Sequence, residues 1–102
     1  MKISFFSNFL SHHQLPFCKE LIGTENVEFY FVATEKISDE RISLGYEDLN
    51  AKYDFVIKTY LGQDEINKAK TLANTSDVVI VGSAPMFYFK ERLKRKKIQL
   101  YG

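Results

Sequence analysis

The chain has two histidines, and they stand side by side in the stretch Phe5-Phe6-Ser7-Asn8-Phe9-Leu10-Ser11-His12-His13-Gln14-Leu15-Pro16-Phe17. An imidazole titrates near ~6.5 and can take a proton from a hydroxyl at neutral pH, so His12 or His13 is a candidate general base. A metal site is disfavoured: adjacent residues do not converge on one centre in a helix, and Cys18 is the only soft ligand nearby. No metal and no cofactor are expected. The plain alternative is a pair of solvated histidines in an exposed loop, because loops are exposed and only some carry function. Ser11 and Gln14 have the spacing of a capping box, yet Pro16 would then lie too deep in the helix. A helix starting at His13 or Gln14 puts Pro16 in the first turn. Either way the histidines flank a helix N-terminus, where free N–H groups attract anions such as phosphate or a carboxylate.

These residues must be positioned by strands and helices. Ile3 to Phe6, Val27 to Val32, Phe55 to Ile57, Val78 to Val81 and Ile98 to Tyr101 are short runs rich in β-branched and aromatic residues, which predicts five strands. Lys58-Thr59-Tyr60 is a natural continuation of the third. Val78-Val79-Ile80-Val81 is apolar without alternation, as in a central strand covered on both faces. Between the strands lie helical patterns at Pro16 to Ile22, ending at Gly23 as a C′ residue, at Asp64 to Ala73, and at Pro85 to Lys96 with Met86, Phe89 and Leu93 on one side. Thr34 to Lys52 is an irregular crossover, with a helix of one or two turns around Asp39 to Leu44. Strands alternating with helices predict a parallel α/β sheet with right-handed crossovers. The histidine turn then sits beyond the carboxyl end of the first strand, on the edge where open parallel sheets bind ligands.

Composition sets the bounds. With 102 residues, 45% hydrophobic, 26% charged and a net charge of +1, the chain reads as one ordinary globular domain. One cysteine excludes a disulfide framework and fits a reducing cytoplasm. The opening Met1-Lys2-Ile3-Ser4-Phe5-Phe6 is too short for a signal-peptide core, and no run approaches the ~20 apolar residues of a membrane span.

Other α/β sites fail against the same edge. Phe6 to Ser11 contains no glycine, so there is no dinucleotide fingerprint, and there is no Walker loop. A receiver would want acids where Ser7-Asn8 and Lys58-Thr59 stand. Cys18 belongs to a helical stripe and reads as core rather than as a nucleophile. Near the end, Lys90, Arg92, Lys94, Arg95, Lys96 and Lys97 stand against the single acid Glu91. A charge run of this kind is usually a solvated face. Its functional reading is attraction to an anionic membrane surface, at about 1 kcal/mol per cation near lipid. No aromatic platform or recognition helix points to nucleic acid.

Three segments, Met1 to Leu21, Val32 to Tyr46 and Ser76 to Pro85, together resemble the N-terminal portion of bacterial glycosyltransferases of the GT-B fold, of the capsular and exopolysaccharide kind. The resemblance covers the whole chain. It rests on the order of Asn8, His12-His13-Gln14 and Pro16, followed by Thr34-Glu35, Glu40-Arg41 and Gly45-Tyr46. It implies a three-layer Rossmann-like sheet of about five strands in the order 3-2-1-4-5, with helices on both faces. It also implies a division of labour in which this domain receives the sugar acceptor and a second domain binds the nucleotide-sugar donor. Residues 1–102 are then the acceptor-binding half of an enzyme of polysaccharide or lipid-linked sugar transfer, inactive alone, in the cytoplasm or peripheral to the inner face of the membrane. Asn8, His12, His13, Gln14, Gly82 and Ser83 fall on the cleft wall, with His12 or His13 as the base of an inverting transfer or a positioning group in a retaining one. Gly82, lacking a Cβ, would admit a ligand close to the backbone, while Ser83 is equally a helix cap before Pro85. The competing reading is a stand-alone Rossmann-like or flavodoxin-like binding module. A half-domain predicts bare apolar surface, covered by a second copy of the chain, and a self-sufficient module predicts a monomer.

Overall fold

The structure, a computed structural model, describes residues 1–94 and 99–101, the last three by their backbone alone. It is α/β. Strands β1 (Lys2–Ser7), β2 (Glu28–Ala33), β3 (Val56–Lys58) and β4 (Val78–Val81) are parallel, in the order β3-β2-β1-β4. Helices α1 (Leu15–Ile22), α2 (Asp39–Ser43), α3 (Leu49–Lys52), α4 (Gln63–Thr75) and α5 (Lys90–Lys94) connect or follow them. The expected fifth strand starts at Ile98, which lies outside the described residues, as do Arg95, Lys96 and Lys97.

The connections explain the layers. From β1 to β2 to β3 the chain moves one way across the sheet, and from β3 to β4 it crosses back over β2 and β1. Right-handed crossovers therefore put α1 and α3 on one face and α4 on the other. Alternation along the strands follows. Ile3, Phe29, Phe31, Ala33 and Val56 are buried with Leu10, Cys18 of α1 and Leu49 of α3. Phe6, Val32, Val79 and Val81 are buried with Ala69, Leu72 and Ala73 of α4 and with Tyr88 and Phe89.

Each helical layer covers only its own half of the sheet. On the α1 face Val78 and Ile80 of β4 are half-buried, so β4 is not the doubly covered strand that its unbroken apolar run predicts. On the α4 face Tyr30 and Ile57 line a broad groove of 640 Å³ beside Leu72. An apolar run is ambiguous in this way because a residue packed against one flank of a helix is as hydrophobic as one packed beneath it.

Three further expectations change. Thr59–Leu61 forms a 3-10 turn, so β3 ends at Lys58. Gly23 ends α1 with φ −79°, in the right-handed region, and its N–H reaches Lys19 O at 3.1 Å, so no left-handed C′ glycine is used. The predicted helix from Pro85 splits into a 3-10 turn, Met86–Phe89, and α5, and its buried residues are Tyr88, Phe89 and Arg92 rather than Met86, Phe89 and Leu93. The tighter 3-10 start rotates the apolar face, since three residues per turn and 3.6 per turn drift apart quickly.

Candidate functional site

The carboxyl end of β1 is held on both sides. Gly82 N–H, leaving β4, donates to Phe6 O at 2.7 Å. Thr34 N–H and Oγ1, leaving β2, donate to Ser7 O at 3.0 and 3.2 Å, and Glu35 N–H donates to Asn8 O at 2.7 Å. This is where strand order reverses, because β1 is followed by β2 on one flank and neighboured by β4 on the other. Such switch points open a crevice beyond the strands.

A chain of polar side chains lines that end. Ser7 Oγ donates to Asn8 Oδ1 at 3.2 Å, and Gln14 Nε2 donates to Ser7 Oγ at 3.4 Å. Gln14 Oε1 in turn accepts from Ser11 N–H at 3.0 Å and from Ser11 Oγ at 3.3 Å. The capping-box spacing thus yields one of its two bonds, Gln14 reaching back to the Ser11 backbone, on a turn that precedes α1. Helix α1 starts at Leu15 with Gln14 at its N-cap and Pro16 in its first turn, where a proline is tolerated. Asn8 Oδ1 also accepts from Phe9 N–H at 2.8 Å, turning the chain away from the strand.

Gly82 belongs to the same cluster for a packing reason. A Cβ there would lie 3.0 Å from Ser7 Oγ and 3.3 Å from Phe6 O. The close approach that the missing side chain permits is therefore to the end of β1. Ser83 is exposed, and the 3-10 turn after it has Pro85 at its N-cap with no side-chain bond, so Ser83 is not a helix cap.

The histidines lie apart from this hydrogen-bonded chain. His12 and His13 are exposed and line a cavity of 250 Å³ with Phe9, Ser11, Arg41, Tyr46 and Glu47 over a floor of Leu10, Ile37 and Leu49. The Arg41 guanidinium lies 5.3 Å from the Phe9 ring centre and 5.9 Å from that of Tyr46, cation–π distances. Arg41 is carried on α2, capped by Ser38, whose Oγ accepts from Arg41 N–H at 3.2 Å. Glu47 is engaged with Lys52 at 3.0 Å.

One residue ties the cavity to the sheet. Asn50, buried in α3, accepts from Leu10 N–H at 2.9 Å through Oδ1 and donates through Nδ2 to Glu35 O and Tyr60 OH, both at 3.3 Å. The turn after β1, the exit of β2 and the turn after β3 thus meet on a single amide. Burial holds the Tyr60 phenol above its ordinary range despite the opposing bond from Asn50, so it stays neutral at physiological pH. Neither Asn50 nor Arg41 is picked out as a site residue by spacing or residue type.

The basic run contains a correction. Arg92 cannot meet a membrane surface because it is fully buried, its exposure 0%. Its Nη1 donates to Ser76 O at 2.6 Å and Ala73 O at 3.3 Å, and its Nη2 donates to Asp77 O at 3.0 Å. The last turn of α4 leaves carbonyls without helical partners, and the guanidinium fork supplies the donors. Lys90 and Lys94 are exposed, Lys94 3.7 Å from Glu91.

Cys18 is buried and its thiol is pushed up to about 11 by desolvation, which suits core packing and not a nucleophile. Among the described residues no group of three His, Cys, Asp or Glu side chains could hold a metal ion, and no helix is long and apolar enough to cross a membrane. No protein-family model, curated protein or solved structure matches the chain.

Proposed function

We propose that the chain is the acceptor-binding, N-terminal portion of a two-domain glycosyltransferase, with the cavity at His12 and His13 as the acceptor subsite. The observation that carries this reading is the position of that cavity: past the carboxyl end of β1, with two imidazoles and a guanidinium set among the Phe9 and Tyr46 rings. A few placed polar groups in an otherwise apolar and aromatic hollow is the usual make-up of a small-molecule site. At 250 Å³ it falls below the roughly 300–1,000 Å³ of sites that enclose a whole ligand, so it suits one ring of a longer saccharide.

In this reading His12 or His13 takes the proton of the acceptor hydroxyl as that oxygen bonds to the anomeric carbon of the donor sugar, while the bond from that carbon to the nucleotide's phosphate oxygen breaks and the nucleotide departs on the second domain. The fold belongs to the same proposal. In this reading Gln99–Tyr101 serves as a fifth strand beside β4, which would complete the order 3-2-1-4-5 of a Rossmann-like domain. The half-covered faces at Val78 and Ile80 and at Tyr30 and Ile57 are surfaces that further elements, or a second copy of the chain, would cover. Among the described residues of the basic run, Lys90 and Lys94 are the exposed cations for an anionic membrane surface.

Titration of the ¹⁵N-labelled chain separates these ideas. Methyl glycosides and short oligosaccharides at millimolar concentration are expected to shift the amides from Phe9 to Gln14. If no saccharide moves them, the acceptor reading falls and a binding module of another kind takes its place.

A further inference from the structure

The charges around the cavity do not balance. Glu47, its one acid, is paired with Lys52 at 3.0 Å. Arg41 makes no ion pair among the described residues, and its only hydrogen bond to a side chain comes from its backbone N–H, to Ser38. Its guanidinium donors are therefore unspent on the described residues, and the side chain lines the cavity together with His12 and His13. The rings of Phe9 and Tyr46 lie 5.3 and 5.9 Å from the guanidinium carbon, contacts that restrict the side chain and lower the ordering cost when a ligand binds. A planar fork matches an oxyanion with two oxygens, and it does so better than a lysine would.

We infer that this cavity selects an acceptor carrying an oxyanion, either the carboxylate of an acidic sugar or a phosphate ester on the sugar, with Arg41 as the residue that determines the choice. The inference rests on the acceptor reading above and narrows it to a substrate class. A neutral sugar would leave the guanidinium without a charged partner and bind more weakly, by about tenfold for one charge-assisted bond.

The test compares methyl glucoside, methyl glucuronide, glucose 6-phosphate and inorganic phosphate on the wild-type chain and on Arg41→Gln, following the amides of Phe9 to Gln14. One or both charged sugars are expected to bind about tenfold more tightly than methyl glucoside, and whichever does so names the source of the oxyanion. In Arg41→Gln that advantage is expected to vanish, the charged sugars binding no more tightly than methyl glucoside does. Equal binding of neutral and charged sugars to the wild-type chain overturns the inference and leaves the acceptor reading standing, whether or not the variant folds. Survival of the advantage in Arg41→Gln overturns the role of Arg41. Binding of inorganic phosphate that depends on Arg41, with no sugar binding at all, keeps the oxyanion site and removes the saccharide.

Discussion

Two arginines of this chain solve opposite problems. Arg92 is wholly buried and spends its donors on the carbonyls of Ala73, Ser76 and Asp77 at the end of α4. Arg41 is exposed, rests on the rings of Phe9 and Tyr46, and spends no guanidinium donor on the described protein. The first is a cation that the fold consumes, because helix-end carbonyls shut away from water need donors. The second is a cation that the fold presents. A charged residue's role thus follows from where its donors go, and residue type alone does not give it.

Removing the consumed cation should have the largest effect. Arg92→Met keeps much of the apolar stem but leaves three carbonyls short of a donor, and burial of unsatisfied groups costs about 1–3 kcal/mol each where water cannot reach them. We expect a loss of about 3 kcal/mol in urea unfolding. Arg92→Lys should also lose stability, since one ammonium cannot reproduce a planar fork spanning α4's end. Wild-type stability in both variants would mean that the guanidinium is replaceable there, and the contrast with Arg41 would collapse.

Asn50 should come next. Asn50→Ala strips the acceptor from Leu10 N–H and the donor from Glu35 O, at a cost of about 2 kcal/mol. Because Leu10 floors the cavity and Glu35 follows β2, the same change should loosen the turn that carries His12 and His13. Hydrogen exchange would show it as faster exchange from Phe9 to Gln14, with the amides of β4 protected as before. A uniform loss across both regions would make Asn50 an ordinary core residue and not the tie between cavity and sheet.

The scaffold was largely legible in the sequence and the cavity was not. Four strands could be placed within a residue or two because β-branched runs bounded by polar residues have few alternatives, and parallel order follows from alternating strands and helices. The histidine turn was placed beyond the carboxyl end of β1 by the same logic. What could not be read was which polar residues the protein uses up on itself. Asn8 and Gln14 look like ligand contacts, yet their carbonyls hold Phe9 and Ser11 N–H groups. Arg92 looks like a member of a basic patch, yet helical phase turns it inward while Lys90 and Lys94 stay outside. Asn50 and Arg41 lie in the irregular crossover, where no periodicity says which way a side chain points. Long-range hydrogen bonds such as Asn50 to Leu10 and Arg92 to Ser76 join residues far apart in the chain, and local pattern carries no trace of them.

The smallest effect on stability should come from Arg41, and its smallness is the point. An exposed cation over aromatic rings contributes about 0.5–1 kcal/mol, and surface substitutions elsewhere fall within about 0.5 kcal/mol. Arg41→Gln should therefore shift the urea midpoint by a fraction of what Arg92→Met does, with the spectrum of the folded chain otherwise preserved. If instead Arg41→Gln unfolds the chain as readily as Arg92→Met, then the stack of Phe9, Arg41 and Tyr46 is a support for the crossover. Its donors would then be idle because the rings need the cation, and the two arginines would differ in place but not in purpose. A stable Arg41→Gln chain would show that Arg41 is a charge the fold does not require, set among the lining of the same cavity as two imidazoles.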